Sequence, residues 1–263
     1  YRLMADQDLV IAMHHPKDLA EAKEARRSAV FREFFLFQMQ LALMSSQNKS
    51  HSGYAKHYDL EEIGKLTKSL PFALSPDQKK VINDIFADMF VDQQMQRLLQ
   101  GDVGSGKTVV AVFAIYGAVT AGYQAALMVP TEILANQHYR KISAMLEDFG
   151  VRVALLTGST KTMERREIYK ELADGSINVV IGTHALIQEQ VAFKKLGLVI
   201  IDEQHRFGVV QRLALINKGD RPDILAMTAT PIPRSLALTV YGDTALSEIR
   251  HLPAGRKPIK SYW

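Results

Sequence analysis

Two short runs have the residue types and spacing for phosphate chemistry. Gly101-Asp102-Val103-Gly104-Ser105-Gly106-Lys107-Thr108 fits the full phosphate-loop pattern. It follows a strand-like run and opens a helix-like one, the context that a chance glycine turn lacks. Gly101, Gly104 and Gly106 are expected to supply the backbone angles that turn successive N–H groups, those of Asp102, Val103 and Ser105 included, toward phosphate oxygens. A helix beginning near Lys107 would add its positive N-terminal end. Lys107 is expected to reach the β- and γ-phosphates of ATP, and the Thr108 hydroxyl to hold Mg2+. The second run is Asp202-Glu203, which ends the apolar stretch Leu198–Ile201. Asp202 is the expected magnesium partner and Glu203 the expected base that orients the attacking water. Alone, this pair reads equally well as a helix N-cap or a solvated strand end. Beside a phosphate loop, hydrolysis becomes the better reading, and a carboxylate base favours hydrolysis over transfer to a small substrate.

These residues need a scaffold that brings them together. After Pro71, short apolar runs alternate with longer helical ones. The candidate strands are Arg97–Gln100, Ala125–Val129, Val151–Leu156, Asn178–Ile181, Leu198–Ile201 and Ile224–Met227. Helices are expected over Lys107–Thr120, Glu132–Phe149 and Met163–Ala173. Unbroken apolar strands alternating with helices imply an α/β fold with a parallel sheet covered on both faces. Ligands of such sheets bind beyond the carboxyl ends of the strands, where both runs lie. Before Pro71 the pattern differs. Tyr1 to about Pro16 is mixed, and Lys17 to about Gln47 lacks Gly and Pro and reads as one long helix. Its stretch Phe34–Met44 is apolar almost all round and is expected to be buried, within this chain or against another domain. Ser45 to Ser52 reads as a solvated loop.

Bulk composition narrows the classes. The chain has 263 residues, 47% apolar and 23% charged, which is ordinary globular composition. It has no cysteine, so disulfides and thiolate metal sites are excluded, in keeping with a cytoplasmic location. The net charge of +4 is only a mild bias toward anionic partners. Thr108 to Val129 is uncharged and long enough to suggest a membrane span. Gly117, Gly122 and Gln124 inside it argue instead for a buried helix, a turn at Gly122 and a buried strand, so no membrane partner is expected. His14-His15 lacks partners at metal-binding spacing, and Arg165-Arg166 and Lys194-Lys195 read as solvated faces.

Longer strings carry a family resemblance. Asp202-Glu203-Gln204-His205 resembles the second motif of superfamily 2 helicases, Thr228-Ala229-Thr230 the third, Pro130-Thr131-Glu132 the Ia motif and Gly182-Thr183-His184 the Ib region. Leu99–Thr108, Asp202–Val209 and Met227–Arg234 together resemble the RecG family, bacterial ATP-dependent helicases that remodel branched DNA. Leu238-Thr239, Tyr241–Asp243, Pro253, Gly255-Arg256 and Pro258-Ile259 follow the same family, while Thr244–Ser247 drifts from it. Transcription-repair coupling factors are similar but usually carry glutamate at the position of Gln204.

The resemblance implies a RecA-like sheet with an N-terminal helical extension, and a division into a helical linker (1–52), a first motor domain (53–250) and the start of a linker to a second one (251–263). Leu70–Gln78 resembles the family's Q motif, so Gln78 is expected to read the adenine edge, with Phe72 either stacking on the base or serving as a core aromatic. Thr131, Thr157, Gly158, Thr183 and His184 are implied to line a nucleic-acid track. From sequence alone, ordinary helix capping by Thr131 and Thr183 is an equal reading. Contacts of this kind fix position without reading bases, so binding would be salt-sensitive and sequence-independent. His205, Thr228 and Thr230 are candidate couplers of ATP and DNA states, with a buried structural histidine as the alternative for His205. The family's wedge and second motor domains are expected partners, the latter supplying arginines worth on the order of 10³–10⁵ in rate. This chain alone is therefore expected to bind ATP–Mg2+ and hydrolyse it poorly. A nucleotide-binding regulatory module that never hydrolyses ATP is the competing class.

Overall fold

A computed structural model describes residues 3–48, with side chains to residue 39, and residues 53–230 and 244–250. They fall into two compact units, 3–48 in one and the remainder in the other. The expected strings over 231–243 and the linker start at 251–263 lie outside the described residues.

In the first unit, α1 (Asp6–His14) packs on α2 (Leu19–Asn48) around Leu9, Ala12 and Ala25. Ser28 Oγ accepts a hydrogen bond from Met4 N at 3.2 Å, and Arg32 pairs with Asp6. Two expectations are corrected. The mixed opening contains a helix, α1. The helix α2 continues to Asn48 where a loop was expected from Ser45. Phe34, Phe35, Leu36, Phe37 and Met39 are exposed among the described residues, which leaves cover by another domain as the form of burial expected for them. Length explains the last point. At 9 residues α1 is only about 14 Å long, against about 45 Å for the 30 residues of α2, so it covers one end.

The second unit is built on seven parallel strands: β1 (Gln96–Gly101), β2 (Gln124–Met128), β3 (Val153–Leu156), β4 (Val179–Gly182), β5 (Leu196–Asp202), β6 (Asp223–Thr228) and β7 (Ala245–Ile249). Their order across the sheet is β3-β4-β2-β5-β6-β1-β7. Alternate residues serve opposite faces. Ala125, Leu127 and Val129 join one core, with α3 (Leu60–Ser69), α4 (Pro76–Met89), α5 (Lys107–Thr120) and α6 (Glu132–Leu146). Ala126 and Met128 join the other, with α7 (Thr162–Asp174) and α8 (Val209–Ile216). The doubly covered parallel sheet is as the strand pattern implied.

Helix α5 is enclosed from Val110 to Ala118, which explains why the sequence there carries no charge. Phe86 of α4 approaches so closely that a Cβ on Gly117 would sit 2.6 Å from its ring. Gly122 then turns the chain with φ +80° into β2, as expected. No helix of the described residues is long and apolar enough to cross a membrane. At the start of β6, Lys56 and Asp223 are both buried and pair at 2.7 Å, while Asp223 Oδ1 accepts from Met95 N at 2.8 Å. Burial pushes the Asp223 carboxyl up, and Lys56 opposes it.

Candidate nucleotide site

Strand order decides which carboxyl ends become neighbours. Strand β6 lies between β5 and β1, with Asp202 in register with Met227 and Gln100 in register with Thr228. The phosphate loop after β1, the carboxylate pair after β5 and the Thr228–Thr230 turn after β6 therefore meet at one edge. With Phe72 they line a cleft of about 670 Å³.

The loop turns back on itself through Ser105 N to Asp102 O at 3.1 Å, and α5 starts at Lys107. Gly104 and Gly106 adopt φ +81° and +93°, as a cradle of N–H groups requires. Gly101 does not, which corrects the expectation for it. It is the last residue of β1, and glycine is needed there because a Cβ would lie 2.6 Å from Ser105 Oγ. Asp102 and Val103 are exposed, Thr108 is half-buried and lines the cleft, and Ser105 is buried. Lys107 Nζ donates to Gly101 O at 2.6 Å and Asp102 O at 3.1 Å. Burial holds its ammonium below the ordinary lysine value, against the pull of Asp202, Glu203 and Asp102.

Asp202 is 8% exposed. Its Oδ1 accepts from Glu203 N at 3.0 Å, and its Oδ2 lies 3.0 Å from His138 Nε2 of α6, a residue that sequence reading missed. A signal existed, since His138 interrupts the seam Ala135, Ile142 and Leu146 with a polar ring. Glu203 has φ +49°, a left-handed backbone for a residue with a side chain. Its Oε1 accepts from Ala229 N at 3.3 Å, and His205 Nδ1 lies 3.4 Å from its Oε2. His205 was expected either to bond the third motif or to be buried. It does neither: it is half exposed and faces Glu203, and the carboxylate makes the contact to the third motif. Thr228 is buried, with Oγ1 accepting from Thr230 N at 3.1 Å, which tightens that turn.

Gln78 is buried beneath the loop. Its Oε1 accepts from Ser75 N at 2.9 Å, and its Nε2 donates to Ser105 O at 2.9 Å. The amide thus ties the start of α4 to the phosphate loop, with one donor and one acceptor position left over. Phe72 is 46% exposed at the cleft, so the core-aromatic reading does not hold.

The implied nucleic-acid track divides. Thr131, Gly158 and His184 are exposed. Thr131 caps α6, its Oγ1 accepting from Leu134 N at 3.3 Å. Thr157 and Thr183 are buried. Thr183 was expected to cap the turn after it, but its hydroxyl is buried with no partner among the described residues. Arg165, read as a solvated face, is also corrected. Its Nη2 bonds the carbonyls of Thr157, Gly158 and Thr160 at 3.0–3.2 Å, while Glu132 accepts from Ser159 N and Oγ. Together they hold the 157–160 loop in place.

Known proteins share this arrangement. The ATP-dependent DNA helicase RecG of Streptococcus pneumoniae is 54% identical over the whole chain, and that of Bacillus subtilis 51%. The chain spans 39% of the length of each. A structure of RecG bound to a three-way DNA junction matches with a TM-score of 0.86 and 46% identity, covering 98% of this chain and 35% of that one. The DEAD/DEAH box helicase family model matches residues 75–239, from the cap of α4 through the loop, the carboxylate pair and the third motif. The chain belongs to the DEAD/DEAH box helicase family.

Proposed function

We propose that this chain is the ATP-binding motor domain of a RecG-type helicase that remodels branched DNA, such as stalled forks and Holliday junctions, in the bacterial cytoplasm. The observation that carries the reading is the meeting of the phosphate loop, Asp202-Glu203 and the Thr228–Thr230 turn at neighbouring strand ends. The break between the two units after Ser50 supports the boundary between a helical linker over 1–52 and a motor domain taken as 53–250. Residues 251–263 would begin the connection to a second motor domain. In a protein of the relatives' length, that domain and a wedge domain would lie in the sequence outside this chain.

The loop N–H groups and the start of α5 would bind the phosphates, and Lys107 would exchange its two carbonyl partners for phosphate oxygens. Phe72 would stack on the base, and the Gln78 amide would reach its edge by leaving the bonds that now hold it beneath the loop. The all-oxygen donors Thr108 and Asp202 fit Mg2+, because each Asp202 oxygen keeps a lone pair beyond its present hydrogen bond. Bound there, the ion would neutralise phosphate charge. Glu203 would orient the attacking water, and its bond to Ala229 N would pass the state of the site to the third motif. Thr131, Gly158 and His184 are the surface residues proposed to meet DNA phosphates.

Replacing Glu203 by Gln in a protein of the relatives' length, with both motor domains, tests this. The amide oxygen can still accept from Ala229 N, so ATP binding should persist while DNA-stimulated turnover falls about 10²–10⁴-fold. Steady-state ATP hydrolysis on a branched junction reads it, and undiminished turnover in the variant overturns the assignment.

A further inference from the structure

Helix α6 buries Ala135, His138, Ile142 and Leu146 in one seam. Three are apolar. The fourth is a histidine only 8% exposed, whose Nδ1 is buried with no partner among the described residues. A buried ring nitrogen without a hydrogen-bond partner is unfavourable, and a leucine or methionine would fill the seam without that cost. What the ring supplies is its other nitrogen, 3.0 Å from Asp202 Oδ2. Among the described residues, Asp202 Oδ1 is held by Glu203 N alone, the next residue in its own chain. Among the described residues, His138 is thus the one hydrogen-bond donor that reaches this carboxylate from another element.

We infer that His138 is a positioning residue for magnesium, fixing the Asp202 carboxylate from α6 so that it meets the cation's hydration shell in one orientation. The inference rests on the ATP–Mg2+ reading above. It also gives α6 a second task. The helix that begins at Thr131, on the surface proposed for DNA, holds the cation ligand two turns later. A shift of α6 along its axis would therefore reach Asp202 without passing through the phosphate loop.

The test uses H138Q, H138N and H138L in the whole chain, with binding of a fluorescent ATP analogue titrated against free Mg2+ and repeated in EDTA. The glutamine amide can place its nitrogen where Nε2 lies, whereas asparagine is too short and leucine has no donor. The Mg2+ concentration for half-maximal binding should rise about 10–100-fold in H138N and H138L and stay near the parent value in H138Q. Binding in EDTA should be equal in all four proteins. A purely structural histidine predicts a lowered melting temperature with an unchanged Mg2+ response, and that result overturns the inference. So does a glutamine variant as impaired as the asparagine one. If H138L does not fold, the asparagine and glutamine pair decides. Failure of the unsubstituted chain to bind nucleotide at any Mg2+ concentration would instead remove the ATP reading itself.

Discussion

Replacing Gly106 by alanine asks two things of the phosphate loop at once. The backbone there has φ +93°, and holding an L-residue in that region costs about 1–2 kcal/mol. The new Cβ would also lie 2.2 Å from Gln78 Nε2, too close for any real contact, so the amide must move. Moving it breaks the bond to Ser105 O and the reciprocal cap with Ser75, both at 2.9 Å. Each is worth about 0.5–1.5 kcal/mol net. Gly106→Ala should therefore destabilise the chain by about 2–5 kcal/mol. Gln78→Ala loses the same two bonds without the strain and should cost about 1–3 kcal/mol.

The double variant separates these terms. With alanine at 78 there is no amide to displace, so the bonds are lost once and only the strain is added. The pair should be about as stable as Gly106→Ala alone, an interaction of about 1–3 kcal/mol relative to the sum of the singles. Urea unfolding followed by far-ultraviolet circular dichroism measures all four proteins. Additivity within about 0.5 kcal/mol would refute the claim that Gln78 is seated against the glycine.

Two further outcomes concern groups away from the cleft. Lys56→Met leaves Asp223 buried without its cation and should cost about 3–5 kcal/mol in urea unfolding, with much of the loss recovered when Asp223 is also made apolar. A double variant no better than the single would mean the pair is not the source of the loss. Glu132 accepts from the Ser159 hydroxyl and backbone, which holds its carboxyl below the ordinary glutamate value. A depressed carboxylate contributes stability that is present above about pH 4.3 and lost as pH falls through its folded value. Glu132→Gln should therefore flatten the acid limb of melting temperature against pH, and an unchanged limb would exclude this carboxylate as a source of that dependence.

The second unit was legible where the signal was dense. Strands such as Leu198–Ile201 are buried on both faces, so their composition alone implies cover above and below. Helix α5 was read to its ends, because the phosphate loop fixes its start and Gly122 its exit. Strand β7 was missed because Ala245–Ile249 contains serine and glutamate. Among the described residues it is an edge strand pairing with β1 alone, and an edge relaxes the demand for apolar residues. Helix α3 was missed for another reason. Its stripe is only Ile63 and Leu66, too short to stand out, although Asp59 caps it with bonds to Glu61 N and Glu62 N. In the site, chemistry written in one run was readable. Contacts between runs, such as His138 with Asp202 or Arg165 with the 157–160 loop, depend on strand order, which the pattern of apolar runs leaves open.

That distinction changes how coupling to the third motif is best understood. Sequence reading placed it in side chains, in His205, Thr228 and Thr230. The structure gives the cross-strand bond to the Glu203 carboxylate and to a backbone group, Ala229 N. Strain at Glu203 fits that role. A left-handed backbone at a residue with a side chain costs about 1–3 kcal/mol, and cores do not retain such cost without a constraint. Here the turn aims one carboxylate so that Oε1 meets the turn after β6 and Oε2 meets His205. A backbone N–H is removed only by proline, which would also reshape the turn that presents it. Substitution at Thr228 loosens the turn that presents Ala229 N, and substitution at His205 frees one oxygen, but neither deletes the link. Of these three side chains, only Glu203 can delete it, by a change such as Glu203→Ala that removes the acceptor oxygen, and there it also removes the group proposed to orient water. Hydrolysis and its transmission to the third motif would thus share one carboxylate.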